Sequence, residues 1–202
     1  MKHIAPLLGA AFATLLAGEV AAQDAWAGWY GGLSLNHTDS DTFISGSDTH
    51  SFDVETGSLG FFGGFNKVRP GGLVWGPEVA ITSLGETKSA TDATFGTSNA
   101  KGGMVVTTKL RAGYATEKLY VYGFAGLGIT GGAVRPQGAT GEVLTISPAY
   151  GLGVEMAVAD QWTARLEATV HDFGGPDYSF GGTNTATGIE ATTVSIGLAR
   201  RF

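Results

Sequence analysis

Six ionisable residues are spaced so that folding would bring acids and bases together. Each lies in a segment where apolar and polar residues alternate, and each belongs to the polar series. A period of two places such a series on one face of a β-strand. If consecutive segments pair, Glu78 can meet Arg111 and Glu155 can meet Arg165, with Lys109 one step further along. The full set is Glu78, Lys109, Arg111, Glu155, Arg165 and Glu167.

The elements that would position these residues are eight alternating segments, at 28–37, 54–66, 73–82, 103–115, 119–130, 144–158, 162–173 and 191–202. The connections alternate in length. Short ones fall at 67–72, 116–118 and 159–161, and long ones rich in turn-forming residues fall at 38–53, 83–102, 131–143 and 174–190. The pattern predicts an all-β fold: an eight-stranded antiparallel transmembrane up-and-down β-barrel with short periplasmic turns and four long extracellular loops.

The two faces of the predicted strands differ in chemistry. The outward face is apolar, as at Leu33, Leu110 and Leu166, and the inward face carries the charged series. A soluble barrel such as a lipocalin has the reverse arrangement, with an apolar interior. One segment stays unassigned because both of its faces are apolar: Tyr120, Tyr122 and Phe124 compete with Leu119, Val121, Ala125 and Leu127.

On this assignment the six charges form a charge network in the lumen. Three acids and three bases are expected to pair there, because an unpaired buried ion costs several kcal/mol. One interpretation of the network is a gate or proton path, and the other is a structural plug. The interior of an eight-stranded barrel is about filled by side chains, which favours the plug.

Aromatic residues on the outward face cluster near the short turns. Trp and Tyr favour the membrane–water interface, where one end of the side chain is apolar and the other is wet. Trp26 just precedes the first strand. The pattern predicts a periplasmic aromatic girdle of Trp29, Phe65, Trp75, Tyr114, Trp162 and Phe202.

The last segment alternates up to a terminal aromatic residue, with Arg200 interrupting its apolar series once. A terminal strand of this kind is what the outer-membrane barrel-assembly machinery receives. We therefore predict an assembly signal, and with it a partner, at Val194, Ile196, Leu198 and Phe202.

The first residues are typical of a secretory signal. A short positive start precedes an apolar run at 4–17, and small residues follow at 20–22. The run is too short for a stable transmembrane helix, which needs about 20 apolar residues. The domain prediction is a removed signal peptide at 1–22 and an outer-membrane β-barrel domain at 23–202.

Composition excludes several classes of function. Beyond the predicted signal the chain has 11 basic and 17 acidic residues, and this net charge of −6 disfavours nucleic-acid binding. The absence of cysteine removes disulfides and Cys-type zinc chemistry.

Three partial motifs lack the companion features that their chemistry needs, so we predict neither a cofactor nor a metal. Residues 126–131 match the dinucleotide fingerprint, but no helix is expected after them. Residues 98–101 have the spacing of a serine-acylase motif without its companion motifs. A solvated acidic loop is a simpler account than a calcium site for Asp39, Asp41, Asp48 and Asp53.

Catalysis was considered because some small outer-membrane barrels modify lipid A with a His, a Ser and a carboxylate. His171 with Asp172 lies near one strand end, and His37 with Asp39 and Ser40 lies near another. Neither group has the arrangement of those enzymes, and a lone His near a strand end is usually solvated. We therefore predict no catalytic residues and no enzyme activity.

Several short motifs are spread along the chain: Trp26-Ala-Gly28-Trp29-Tyr30-Gly31-Gly32, Gly151-Leu-Gly153-Val-Glu155, Trp162, Leu166-Glu167, Asp172-Phe173-Gly174 and Phe202. Together they resemble the small OmpA-like, opacity-type outer-membrane barrels of alphaproteobacteria. Arg200 departs from that pattern, which usually has an aromatic or apolar residue at this position. The resemblance implies an eight-stranded barrel without catalytic residues.

The sequence as a whole predicts a structural, non-catalytic protein of the Gram-negative outer membrane that displays surface loops for membrane integrity, adhesion or recognition. A narrow small-solute channel is the alternative, followed by a lipid A-modifying enzyme. The expected partners are outer-membrane lipid, lipopolysaccharide and the assembly machinery, and the expected state is a monomer.

Overall fold

The computed structural model describes residues 26–45, 49–83, 88–92, 96–100, 104–131, 134–135, 144–174, 178–180 and 183–202. The predicted signal peptide at 1–22 lies outside these residues. Among the described residues, no helix has the length and apolar character needed to cross a membrane.

Eight strands form a closed antiparallel barrel in the described part of the chain. Each strand pairs with its neighbour in sequence, and the last strand pairs with the first, so the sheet closes. The strands are β1 (Gly28–Ser45), β2 (Thr49–Val68), β3 (Leu73–Ser83), β4 (Met104–Ala115), β5 (Leu119–Gly131), β6 (Leu144–Ala159), β7 (Trp162–Gly174) and β8 (Thr183–Arg201). The predicted fold class is confirmed.

Several strands extend further than the sequence predicted. β1 continues to Ser45 instead of residue 37, β2 begins at Thr49 instead of 54, and β8 begins at Thr183 instead of 191. These extensions remain paired, since the β1–β8 register continues to Ser45 and Ala186. The segments were predicted as loops because of their polar composition, but cross-strand pairing overrides a weak local preference.

Four further pieces of the predicted loops are also short strands in the described part of the chain. Lys88–Asp92 pairs with Gly96–Ala100, which in turn pairs with Val134–Arg135, in a separate three-stranded sheet. Tyr178–Phe180 pairs with the first residues of β8. The extracellular end of the protein therefore contains β-structure where the sequence predicted only loops.

The periplasmic turns are tight, and their backbone geometry explains their residues. Gly71 and Gly72 have φ angles of 88° and 79°, a region that glycine adopts without a Cβ penalty. A Cβ on Gly72 would also lie 2.8 Å from the carbonyl oxygen of Ala115. In the next turn, the Thr116 hydroxyl accepts a 3.1 Å hydrogen bond from the backbone N–H of Leu119.

The two faces of the wall follow the predicted alternation. Outward apolar side chains such as Leu33, Phe61 and Leu152 are exposed, and polar side chains of the inward series, such as Thr107 and Glu155, are buried. The structure also assigns β5, which the sequence left open. Tyr120, Tyr122 and Phe124 are buried in the lumen, so the outward series of β5 is the aliphatic one.

Candidate functional site: the charged lumen

The candidate site lies in the middle of the lumen and is built by four strands. β3 supplies Glu78, β6 supplies Glu155, and β4 and β7 each supply two charges at alternate positions. All are buried. The register places Glu78 opposite Lys109 and Glu155 opposite Arg165. The six predicted charges are therefore brought to one level: Glu78, Lys109, Arg111, Glu155, Arg165 and Glu167.

Glu78 is the central acceptor of this layer. Its carboxylate oxygens lie 3.0 Å from Lys109 Nζ and 3.1 Å from Arg111 Nη1. Arg165 donates to both oxygens, through Nη1 at 2.9 Å and Nη2 at 2.7 Å. The Tyr30 hydroxyl adds a 2.7 Å hydrogen bond to Oε2. Bidentate Arg–carboxylate contacts of this kind fix orientation as well as charge.

The other two acids complete the network. Glu155 Oε1 accepts hydrogen bonds from Arg111 Nη1 at 2.5 Å and from Arg165 Nε at 2.9 Å. Glu167 pairs with Lys109 and accepts a 2.8 Å hydrogen bond from the Tyr122 hydroxyl. Three acids and three bases therefore neutralise one another without an unmatched ion among the six.

The predicted lumen network rests on contacts between neighbouring strands, and the structure adds contacts that cross the lumen. Both expected contacts are present, between Glu78 and Arg111 and between Glu155 and Arg165. Arg165 additionally crosses the lumen to Glu78. Reasoning from the sequence considered only neighbouring strands, whereas closure of the barrel brings β3 and β4 against β6 and β7.

Aromatic rings surround the guanidinium and ammonium groups. The Arg111 guanidinium carbon lies 4.6 Å from the ring centre of Tyr122 and 4.7 Å from that of Tyr30. Arg165 lies 3.9 Å from the Phe62 ring, and Lys109 Nζ lies 4.2 Å from Phe124. Cations gain from such ring faces when they are removed from water.

Glycines on β4 and β6 make room for the β5 backbone and its rings, and they are the signal that the sequence analysis missed. A Cβ on Gly153 would lie 2.3 Å from Tyr122 Cζ, in the space of the ring. A Cβ on Gly113 would lie 2.0 Å from the carbonyl oxygen of Val121 and 2.5 Å from Tyr122 Cα, so this glycine admits the β5 backbone. Glycines at inward positions of the two strands beside β5 indicate that large side chains of β5 turn inward. That observation would have assigned the face of β5.

Trp26, which just precedes β1 as the sequence indicates, closes the periplasmic mouth of the barrel. The ring is 1% exposed and packs against Tyr120 at 5.6 Å between ring centres. Its Nε1 donates a 2.7 Å hydrogen bond to the carbonyl of Thr116, and the Arg201 guanidinium lies 5.4 Å from the ring. The apolar cluster around Tyr120 explains why the ring turns into the barrel instead of toward lipid.

The extracellular half of the lumen is polar and contains a small cavity of about 50 Å³. Thr38 and Thr193 share a 2.9 Å hydrogen bond beside the cavity, and Thr107 lies 3.2 Å from His171 Nε2. Lys109 and Glu167 contribute to its lining on the side of the charge layer.

The structure separates the side chains of the candidate catalytic group formed by His171 and Asp172. His171 is buried in the lumen, whereas Asp172 is exposed, so these neighbours face opposite sides of β7. The expectation that His171 is a solvated strand-end residue is therefore wrong. His37 and Asp39 are exposed on the outer surface. The side chains of Ser40, Asp41, Asp48 and Asp53 lie outside the described part.

Within the described part of the chain, the structure gives the dinucleotide-like and metal-like motifs no geometry that could bind a ligand. Residues 126–131 belong to β5, and strand instead of helix surrounds the dinucleotide-like glycines. Among the residues whose side chains are described, no group of three or more His, Asp or Glu is placed to hold a metal ion. The side chains of 98–101 lie outside that set.

The predicted girdle residues lie on the outward surface at the short-turn end. Trp29 and Phe65 are register partners with ring centres 5.3 Å apart. Trp75 and Tyr114 lie near the start of β3 and the end of β4, and Trp162 begins β7. Their role in the membrane stays a prediction.

The predicted assembly signal lies on the same outward surface. Val194, Ile196 and Leu198 are exposed on β8. The backbone N–H of Phe202 donates a 2.9 Å hydrogen bond to the carbonyl of Trp29, which places the terminal residue at the seam between β8 and β1. Recognition of these residues by an assembly partner also stays a prediction.

A closed barrel with an apolar exterior and a charged, neutralised lumen defines a small outer-membrane β-barrel protein. The chain belongs to the outer membrane protein beta-barrel domain family, whose profile matches residues 8–202. This confirms the resemblance and the outer-membrane location, and the family's small barrels are generally non-catalytic.

Individual relatives agree with this assignment. The chain is 29% identical over 179 residues to a 22 kDa outer membrane protein of Rhizobium leguminosarum bv. viciae, covering 88% of this chain and 78% of that protein. Neisserial surface protein A has a similar fold, with a TM-score of 0.57 at 15% identity, covering 87% of this chain and 98% of that one. OprG of Pseudomonas aeruginosa has a TM-score of 0.56 at 14% identity, covering 89% and 98%.

Proposed function

We propose that this protein is a structural, non-catalytic component of the outer membrane whose lumen is permanently closed. Two surfaces of the protein carry this function. The apolar wall supports the lipid bilayer, and the extracellular strands and loops are displayed for adhesion or recognition. We propose that it acts as a monomer in contact with phospholipid and lipopolysaccharide, and that β8 delivers it to the assembly machinery.

The observation that carries this proposal is the network of six buried charges that crosses the lumen. Arg165 binds Glu155 on the neighbouring strand and Glu78 across the barrel, so the network connects opposite walls. Opening a path would separate ions that have little access to water, which costs several kcal/mol for each ion. Trp26, Tyr120 and Tyr122 occupy the periplasmic side of the same layer.

The position of His171 disfavours the lipid A-modifying alternative. His171 points into the lumen, away from the lipid-facing surface, and its exposed neighbour Asp172 lies on the other face. A general base must reach the proton that it abstracts. A lipid molecule in the bilayer cannot reach His171 through the barrel wall.

Conductance across planar bilayers tests the closed lumen. The purified protein should show no steady single-channel current, and Trp26→Ala should remain closed because the charge layer is intact. Glu78→Ala removes the central acceptor and should introduce flickering current. Glu117→Ala, in an exposed turn, is the matched control for loss of one acid. Large, stable conductance steps in the wild-type protein would contradict the proposal and favour the channel.

A further inference from the structure

Arg200 is the one charged residue in the otherwise apolar outward series of β8 between positions 194 and 202. Leu198 precedes it and Phe202 follows it on the same face, and all three are exposed. Its register partners are Trp162 on β7 and Gly31 on β1. Arg200 therefore lies at the periplasmic rim, one step beyond the aliphatic band and beside an outward tryptophan.

The surroundings of Arg200 hold its guanidinium in place without neutralising it. Nη2 donates a 3.2 Å hydrogen bond to Gln161 Oε1, and the guanidinium carbon lies 5.7 Å from the Phe202 ring centre. Among the described residues, no carboxylate lies within 4.0 Å of its guanidinium nitrogens. A guanidinium has five N–H donors, and the bond to Gln161 uses one of them.

The space beside Arg200 is open on one side. Gly31, its partner on β1, has no side chain to cover the guanidinium. Trp162 borders the other side and is partly exposed. Arg200 is therefore an exposed cation on the membrane-facing wall, with Trp162 and Phe202 as its aromatic neighbours.

We propose that Arg200, held by Gln161 and bordered by Trp162 and Phe202, binds the phosphate of an anionic phospholipid in the periplasmic leaflet. A cation near the end of a membrane-spanning strand extends toward the headgroups while its stem stays in the apolar layer. The forked donors of arginine match the oxygens of a phosphate. A free anion would lack the acyl chains that pack on the neighbouring Leu198 and Trp162.

Competition between brominated phospholipids tests this site through nearby tryptophans. In a Trp75→Phe background, the outward-facing tryptophans are Trp29 and Trp162, both on strands that pair with β8, because Trp26 is buried. Brominated phosphatidylglycerol should quench this protein more strongly than brominated phosphatidylcholine. A basic residue near an anionic surface contributes about 1 kcal/mol, so Arg200→Gln should reduce the preference about fivefold.

Two further variants separate a phosphate site from general attraction. Lys118→Gln removes one positive charge from an exposed turn at the same end and should leave the preference unchanged. Arg200→Lys should keep only part of the preference for brominated phosphatidylglycerol. This variant also replaces Arg200→Gln in the test if that variant fails to fold. Equal preferences in the wild type and Arg200→Gln would overturn the proposal. Full preference for brominated phosphatidylglycerol in Arg200→Lys would also overturn the proposal. A loss of preference in Lys118→Gln equal to that in Arg200→Gln would do the same.

Discussion

At the scale of single residues, the lumen shows why burial of charge requires complete pairing. Arg111 lies between Glu78 and Glu155, at 3.1 and 2.5 Å from their oxygens, and donates a further 3.0 Å hydrogen bond to Asn66. Each of these groups has lost most of its water. Removing one charged residue therefore leaves its partners buried without a counter-charge. This costs more free energy of folding than replacing the whole set by apolar residues would.

Arg111→Ala should lower the free energy of unfolding by about 3–5 kcal/mol, because it leaves two acids in the network undercompensated. Urea-induced unfolding in lipid vesicles, followed by tryptophan fluorescence, measures the change. Arg69→Ala, in an exposed turn, should have an effect of less than about 1 kcal/mol. The double variant Arg111→Ala/Glu155→Gln should recover part of the loss. A double variant less stable than Arg111→Ala would contradict the role of charge matching.

At the scale of elements, β5 illustrates how neighbouring strands determine the direction of a side chain. Tyr120 and Tyr122 stack with ring centres 4.9 Å apart, and the Tyr122 ring occupies the space that Gly153 of β6 leaves open. The same strand exposes Leu127 on its outer face. Complementary sizes on adjacent strands thus fill the lumen without strain.

Gly153→Ala should destabilise the barrel by about 1–3 kcal/mol, since the added methyl would lie 2.3 Å from Tyr122 Cζ and force the ring to move. Gly123→Ala is the matched control on β5. Its methyl would lie 3.5 Å from Leu152 Cδ2, an ordinary contact, and we expect it to be neutral or slightly stabilising. Thermal unfolding by circular dichroism distinguishes the two, and equal effects would show that the rings do not require the glycine.

The outward face of β4 gives a second test at this scale. Leu110→Arg places a charge in the middle of the lipid-facing wall and should cost about 2–4 kcal/mol. Thr192→Arg is outward on β8 but lies near the extracellular side, opposite Asp39, and should cost less than about 1 kcal/mol. Refolding yield into vesicles and urea titration measure both. Unchanged folding of Leu110→Arg would contradict the lipid-facing assignment.

At the scale of the whole molecule, the barrel is closed by the β1–β8 seam, which the two ends of the chain form. Phe202 donates its backbone N–H across this seam to Trp29, but its ring is 75% exposed. The ring therefore buries little area in the finished barrel. We infer that its importance lies in the steps before the seam forms.

Deletion of Phe202 should cost only about 1 kcal/mol of folded-state stability, in proportion to the small apolar area that its ring removes from water. In cells the same deletion should strongly reduce the amount that reaches the outer membrane, because an assembly machine would recognise the last strand before closure. Fractionated membranes and refolding in detergent measure the two effects. Normal assembly in cells, or failure to refold in detergent, would place the role of Phe202 at another step.

The class of fold and the members of the charge layer follow from the order of residues along each strand. Alternation has a period of two in every barrel strand, so the face of Leu110 or Glu78 follows from its position along the strand. An apolar outside and a charged inside then leave only a membrane barrel. Local pattern suffices for this because each strand meets the same two environments, lipid and lumen.

Contacts between strands that are distant in sequence could not be predicted in this way, because they depend on the three-dimensional fold. The contact of Arg165 with Glu78, the inward turn of Tyr122 and the burial of Trp26 all require the closed barrel. The extension of β1 to Ser45 likewise depends on pairing with β2 and β8. These features arise from the space and hydrogen-bond partners that other strands provide, and alternation along one strand carries no information about them.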